Sequence, residues 1–284
     1  MTALERAPRP IRGSTRLAAV IGSPVRHSRS PVLANAAFAD LGLDWAMVAL
    51  EVAEGDAVAA IEAVRVLGLG GLMVTMPHKA AVIPALDSLT PAAQALGAVN
   101  SISWDGDALV GHNTDGEGLV ASLRSDSSVE VEGRRCVVLG AGGAARSVVW
   151  ALAEAGAAEV VVVNRTVERA ESAARLAGAV GRVGSVAAVA EASLVVNATS
   201  VGMGSPPDGG PTPLPPELLG PGQVVVDLVY QPVLTPLLAA ASARGAQPVD
   251  GLGMLVHQAA LTITRWTGVV PDTEVMARAA RSTY

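Results

Sequence analysis

The chain has 284 residues, half of them apolar, and a formal charge of −6. That length accommodates two domains with sizeable cores. Mild acidity without a basic stripe argues against a nucleic-acid partner, and a single cysteine excludes a disulfide framework and a thiolate metal site. The four histidines, His27, His78, His112 and His257, show no paired metal spacing, so no metal is predicted. No G-x-S-x-G elbow or Ser/His/Asp arrangement is present, which argues against a hydrolase. No apolar stretch of about 20 residues lacks both glycine and charge, so no membrane span is predicted. The apolar run at residues 17–21 is too short for a secretory segment. A cytoplasmic globular protein is the expectation.

In chain order, residues 1–14 read as a loose tail and 17–22 as a strand. Pro31 suits the first turn of a helix reaching about residue 41. Ser28 and Ser30 precede that helix beside Arg26 and Arg29. They serve either as plain caps or as hydroxyls that bind a carboxylate at a helix start. Residues 45–50 read as a strand, 54–67 as a helix and 71–75 as a further strand. Strands alternating with helices predict a parallel α/β sheet. Pro77 then stops the strand and sets up a helix, with Lys79 in its first turn. A lysine there opposes the helix dipole. It is either an ordinary surface lysine or a group at the carboxyl end of a parallel strand, where such sheets bind ligands. Asp105-Gly106 predicts a hairpin turn between apolar arms at 98–103 and 108–112. Asp115 opens a helical segment, where capping is its simplest role, and 125–133 read as a polar loop.

Residues 134–139 form an apolar run that ends in Gly140-Ala141-Gly142-Gly143-Ala144-Ala145, followed by a helix predicted over 147–156. This is the strand, turn and helix of a dinucleotide-binding unit. Gly140 permits the tight turn, Gly142 lets a pyrophosphate approach the backbone, and Ala145 lets helix and strand pack closely. A second strand over 159–163 completes the βαβ spacing. No acid stands at its end to bind the ribose hydroxyls of NAD, whereas Arg165 and Arg169 suit a 2′-phosphate, so NADP is predicted. Cys136 reads as core. Further strands are predicted at 194 onward and at 223–228, with a proline- and glycine-rich loop over 205–216 between them. Helices are predicted over 235–244, from 251 to about 266, and over 273–281.

These segments together resemble the shikimate dehydrogenases, from about residue 20 to 260. The resemblance rests on motifs in one order: Gly22-Ser23-Pro24, His27-Ser28-Arg29-Ser30-Pro31, Val74-Thr75-Met76-Pro77-His78-Lys79 and Ala98-Val99-Asn100. Asn113-Thr114-Asp115-Gly116, the glycine turn and Asn164-Arg165-Thr166 follow. Asn197-Ala198-Thr199-Ser200-Val201-Gly202 and Gly251-Leu252-Gly253-Met254-Leu255-Val256-His257-Gln258 complete the set. The family often has Asn where this chain has Met73, next to the lysine loop.

The resemblance implies two α/β domains. One is a mostly parallel α/β substrate domain of residues 1–114 plus 250–284; the other is a Rossmann NADP-binding domain of residues 115–249. Substrate and nicotinamide would meet in a cleft between them. It implies reduction of 3-dehydroshikimate to shikimate with NADPH, with Lys79 and Asp115 as the catalytic pair. Ser28 and Ser30 would hold the substrate carboxylate, with Tyr230 nearby. Thr75, Asn100, Asp115 and Gln258 would bind ring hydroxyls. Gly140, Ala141, Gly142, Gly143 and Ala144 would hold the cofactor backbone, and Asn164, Arg165, Thr166 and Arg169 its 2′-phosphate. Thr199, Gly251 and Met254 complete the cofactor set, with Gly251 and Met254 beside the nicotinamide. A small-molecule substrate, no nucleic acid, no membrane, and a monomer or homodimer are expected. The rivals are a quinate/shikimate dehydrogenase that uses NAD, a catalytically silent shikimate-binding module, and a dehydrogenase of the methylenetetrahydrofolate type.

Overall fold

The computed structural model describes residues 10–207 and 209–282, so the first nine residues of the predicted tail lie outside the described residues. The chain forms two compact units, one from the N-terminal part to Thr114 together with Val256 onward, the other Asp115–Leu255.

The first unit starts with β1 (Arg16–Gly22), α1 (Ser30–Asp40), β2 (Trp45–Glu51), α2 (Ala57–Leu67), β3 (Gly71–Val74), β4 (Ser88–Leu89), α3 (Pro91–Leu96), β5 (Ser101–Asp105) and β6 (Ala108–His112). The sheet order is β2-β1-β3-β5-β6-β4. β1 runs parallel to β2 and β3, while β5 is antiparallel to both β3 and β6. The predicted hairpin is present: Asp105 pairs with Ala108, and Gly106 at φ 57° makes the turn. α2 buries Ala57, Ile61 and Val64, the i, i+4, i+7 stripe of an amphipathic helix, against Ile21, Leu72, Val74 and Ile102. It starts at Ala57 rather than 54 because Gly55, at φ 103°, cannot join a right-handed helix. The short α3 went unpredicted, although Thr90 accepts from Ala93 N–H and Pro91 stands at its first turn.

The second unit contains α4 (Asp115–Ser127), β7 (Arg135–Leu139), α5 (Gly143–Glu154), β8 (Glu159–Val163), α6 (Val167–Ala174), β9 (Gly181–Val183), β10 (Leu194–Asn197), β11 (Val224–Asp227), α7 (Pro236–Ala243) and β12 (Gln247–Val249). Its sheet order, β12-β11-β10-β7-β8-β9, is parallel throughout. That is the doubly wound order of a dinucleotide-binding domain, with its switch point between β7 and β10. The valine-rich strands are buried on both faces, as parallel sheets require. Cys136 lies in this core, and burial pushes its thiol up to about 12, so it is inert packing. α4 extends to Ser127, through residues predicted as loop. Ser125 Oγ bonds back to the Ala121 carbonyl at 2.8 Å, and Ser128 at φ 54° ends the helix. A Cβ on Gly116 would overlap the Ser147 carbonyl oxygen, so α4 and α5 touch backbone to backbone there.

α8 (Leu252–Thr267) carries the chain back into the first unit, and α9 (Thr273–Arg281) follows. Trp266 of α8 donates to the Ile102 carbonyl at 2.9 Å and stacks on Trp45, with centroids 6.5 Å apart. Arg16 lies 4.9 Å over the Trp45 ring, and Phe38 packs 5.5 Å from it. Three of the chain's seven aromatic residues are therefore spent on this core. No helix among the described residues is long and apolar enough to cross a membrane.

His112 is held by Ser103, whose Oγ lies 2.9 Å from Nε2, while its buried Nδ1 has no hydrogen-bond partner among the described residues. Burial, with the Arg265 cation adding to it, pushes the imidazole down to about 4 from the usual 6.5. A depressed histidine contributes stability that is fully present above pH 6.5 and lost as pH falls toward 4. His112→Gln is therefore expected to flatten the stability profile over that window relative to wild type. Chemical denaturation at stepped pH checks this; parallel profiles for the two proteins would contradict it.

Candidate active site

The first unit gathers its candidate residues at the carboxyl edge of β1 and β3. Thr75 N–H donates to the Ile21 carbonyl at 2.9 Å and Ser23 N–H to the Met76 carbonyl at 3.0 Å, so the two loops leave the sheet stitched together. Gly22 has to be glycine, because a Cβ there would lie 2.5 Å from Thr75 Cγ2. The N-cap position of α1 is held by Arg29, which makes no side-chain cap bond. Ser28 Oγ accepts Ser30 N–H at 3.3 Å, a local turn, so of the two readings of these serines the plain cap is not the one seen. Arg29 donates to the Ala280 carbonyl at the end of α9 (2.7 Å), and Arg26 pairs with Glu51 at the surface (3.6 Å).

Lys79 does not sit in a helix, contrary to the reading from Pro77. Its carbonyl accepts Val99 N–H at 2.7 Å, and Ile83 N–H turns instead to Ala80, so only turns and a short 3₁₀ segment form. The helix-dipole argument lapses with the helix. The backbone is nevertheless held on both sides. Buried His78 donates from Nε2 to the Val52 carbonyl at 2.8 Å, and the His78 carbonyl accepts Val82 N–H at 3.1 Å.

Asn100 and Gln258 belong to one buried polar node, whose third member, Thr114, the sequence reading quoted in a motif without giving it a role. Asn100 Nδ2 donates to Thr114 Oγ1 at 3.0 Å, and Thr114 N–H donates to Asn100 Oδ1 at 2.9 Å. Thr114 Oγ1 donates to the Gln258 carbonyl at 3.2 Å, and Asn100 Nδ2 lies 3.5 Å from Gln258 Oε1. Both faces of the Asn100 amide are fixed, so its rotamer is set before any substrate arrives.

In the second unit, β7 runs into Gly140 at φ 108°, a left-handed conformation that glycine alone adopts cheaply. A Cβ there would crowd the Ala198 carbonyl oxygen at 3.0 Å and Thr199 Cγ2 at 3.2 Å. α5 begins at Gly143, four residues before the predicted start, because the Gly142 carbonyl already accepts Arg146 N–H at 2.9 Å. The low helix propensity of glycine hid that first turn. A Cβ on Gly142 or Gly143 would meet nothing within 4 Å, and Gly142, Gly143 and Ala144 are exposed. An uncapped helix start with open space before it, beside Ala141, fits a pyrophosphate. Ala145 is fully buried, the close-packing small residue expected there.

At the end of β8, Asn164 Nδ2 donates to the Thr166 carbonyl at 2.9 Å and shapes the turn into α6. Thr166 stands at the cap of α6 without a side-chain cap bond, and Arg165, Thr166 and Arg169 are all exposed. Two exposed cations at an open helix start fit a phosphomonoester. Thr199 is held by Asn197, whose Oδ1 accepts both its N–H (3.0 Å) and its Oγ1–H (2.7 Å). Tyr230 is half-buried on the loop after β11. A Cβ on Gly251 would approach the Leu228 carbonyl oxygen to 2.5 Å, and Met254 packs partly buried on the core of this unit. Asp115 is buried as the first residue of α4, which leaves the cap position to Thr114. Among the described residues, no group of three His, Cys, Asp or Glu side chains could hold a metal.

Comparison with known proteins follows this division. The Shikimate dehydrogenase substrate binding domain matches residues 20–102, Shikimate / quinate 5-dehydrogenase matches 122–202, and Shikimate 5'-dehydrogenase C-terminal domain matches 251–281. A shikimate dehydrogenase (NADP(+)) of Moorella thermoacetica is 46% identical over 281 residues, 95% of this chain and 94% of that one. A crystal structure of a shikimate dehydrogenase in complex with NADP+ superposes with TM-score 0.90 at 36% identity, over 98% of each chain. A ligand-free 5-ketofructose reductase of Gluconobacter superposes with TM-score 0.89 at 32% identity, over 96% of this chain and 100% of that one.

Proposed function

Because the chain belongs to the shikimate dehydrogenase family, we propose that it catalyses the reversible NADP-dependent reduction of 3-dehydroshikimate to shikimate. The observation that carries this reading is the match to a relative of that activity along nearly the whole chain. Ser28 and Ser30 bind the substrate carboxylate, with Tyr230 beside it. Thr75, Asn100, Asp115 and Gln258 bind the ring hydroxyls. The Asn100 amide is pre-set by Thr114, so little ordering is left to do on binding. Gly140, Ala141, Gly142, Gly143 and Ala144 hold the pyrophosphate of NADP. Asn164, Arg165, Thr166 and Arg169 hold its 2′-phosphate, Thr199 also contacts the cofactor, and Gly251 and Met254 face its nicotinamide end. When bound, the nicotinamide supplies the hydride. Lys79 gives a proton to the ketone oxygen in reduction and takes it from the hydroxyl in oxidation, with Asp115 as its carboxylate partner.

The quinate-and-NAD reading is disfavoured by Asn164 in place of an acid at the end of β8 and by two exposed arginines just beyond it. The likeness to a 5-ketofructose reductase makes that sugar the natural control substrate.

Shikimate deuterated at the carbinol carbon that becomes the ketone tests the reaction itself. The label is expected in the reduced cofactor, with a slowed rate; label released to water would contradict direct hydride transfer. Asp115→Asn keeps the size and shape of the side chain while removing its charge. It is expected to fold normally and to lose about a hundredfold in kcat. Unchanged turnover would leave Asp115 a purely structural role.

A further inference from the structure

The carboxyl edge of the second unit's sheet contains a buried carboxylate that the proposed chemistry does not use. Asp227 ends β11, directly opposite Asn197 at the end of β10, and both are fully buried. Asp227 Oδ1 accepts Asn197 Nδ2 at 2.8 Å and Val229 N–H at 3.1 Å, while Oδ2 accepts Thr235 Oγ1 at 2.6 Å. Each donor belongs to a different piece of backbone. Asn197 uses its other amide atom to hold Thr199, and Thr199 Oγ1 in turn accepts Val201 N–H at 3.2 Å. Thr199 itself rests against the Gly140 turn. Val229 is the residue before Tyr230. Thr235 caps α7 through Leu238 N–H at 3.3 Å. The backbone carbonyls of Asp227 and Leu228 also form the floor under Gly251, at 2.8 Å and 2.5 Å from where its Cβ would be. Gly204 N–H, on the loop after β10, donates to the Gln231 carbonyl at 2.9 Å and closes the same two loops further out.

We propose that Asp227 is a positioning residue for hydride transfer: through Asn197, Val229 and its own carbonyl it sets the loops that carry Thr199, Tyr230 and Gly251. This rests on the function proposed above, which assigns Thr199 to the cofactor, Gly251 to its nicotinamide end and Tyr230 to the substrate. The adenosine end, at Asn164, Arg165, Thr166 and Arg169, lies on other loops and makes no bond to this node among those described. Burial raises the Asp227 carboxyl above its ordinary value, against the opposing effect of its three hydrogen-bond donors.

Two substitutions separate positioning from bulk stability. Asp227→Ala removes every acceptor. Asp227→Asn keeps one oxygen for Asn197 and Val229 and turns its amide toward the Thr235 hydroxyl, which can accept. For Asp227→Ala, kcat is expected to fall about a hundredfold, the size of effect that a misplacement of about 1 Å produces. The NADP dissociation constant, set largely by the 2′-phosphate contacts, should stay within about threefold of wild type. Asp227→Asn should recover kcat to within about threefold of wild type. A purely structural role would lower the melting temperature of the alanine variant and leave kcat per folded molecule unchanged. A folded alanine variant with near-wild-type kcat overturns the proposal, as does a folded Asp227→Asn enzyme no faster than the alanine variant. Should Asp227→Ala not fold, Asn197→Ala takes its place with the same expected split, and a folded Asp227→Asn enzyme slowed a hundredfold still overturns it.

If wild type turns over no shikimate, the function reading fails rather than this one. Amide exchange at Thr199, Val201 and Val229 then decides it. Exchange is expected to be faster in the alanine variant and protected in the asparagine variant, and equal exchange in all three proteins would overturn the positioning role.

Discussion

Replacing Lys79 by alanine is expected to lower kcat by about 10²–10⁴-fold, the range typical of a lost general acid or base. The backbone around it is anchored by Val99, Val82 and the buried His78 ring, none of which depends on the lysine side chain. The variant should therefore fold with wild-type stability and bind NADP with unchanged affinity. A loss confined to kcat is the signature of an interaction made only in the transition state. Stopped-flow turnover with saturating shikimate and NADP+, alongside a cofactor titration, measures both quantities. A near-wild-type kcat would remove Lys79 from the mechanism, and a matching loss of NADP affinity would make it a binding residue instead.

The second large effect concerns cofactor choice. Arg165 and Arg169 are exposed and flank an uncapped helix start, so each is expected to give about tenfold in NADP binding rather than the larger gain of a buried pair. The double variant Arg165→Ala/Arg169→Ala should raise the KM for NADP about a hundredfold. Its KM for NAD, which lacks the 2′-phosphate, should move by less than about threefold. The loss should also shrink as salt rises, because exposed charges are screened. Equal losses for both cofactors would place these arginines on the pyrophosphate or in the fold. No loss for either would make them solvated surface.

Much of this architecture is legible from residue order alone. The strand, glycine turn and second strand at 135–163 fall where the spacing puts them, because their determinants are local: a valine-rich buried run, a left-handed Gly140 and a small Ala145. The errors have long-range causes. Pro77 signals a helix start, but the Lys79 carbonyl is taken by Val99, twenty positions on, and no local rule sees that bond. Ser28 and Ser30 can both be read as caps of α1 until Arg29 is found in that position. The buried partners are harder still. Thr114 looks like a loop residue until Asn100 and Gln258 meet it, and Asp227 looks like any strand-ending acid until three donors converge on it. The residues proposed to touch substrate and cofactor sit in motifs, where the resemblance finds them. Those that hold them in place lie elsewhere in the chain, where only the tertiary fold reveals them.

The central claim is tested most directly by initial rates of nicotinamide reduction in a two-by-two design, shikimate or quinate with NADP+ or NAD+, with 5-ketofructose and NADPH as a control in the reducing direction. The account predicts strong turnover with shikimate and NADP+ and far weaker rates in every other combination. Comparable or faster turnover with quinate, with NAD+ or with 5-ketofructose would contradict the proposed specificity, and no turnover at all by folded, shikimate-binding protein would contradict the proposed catalysis.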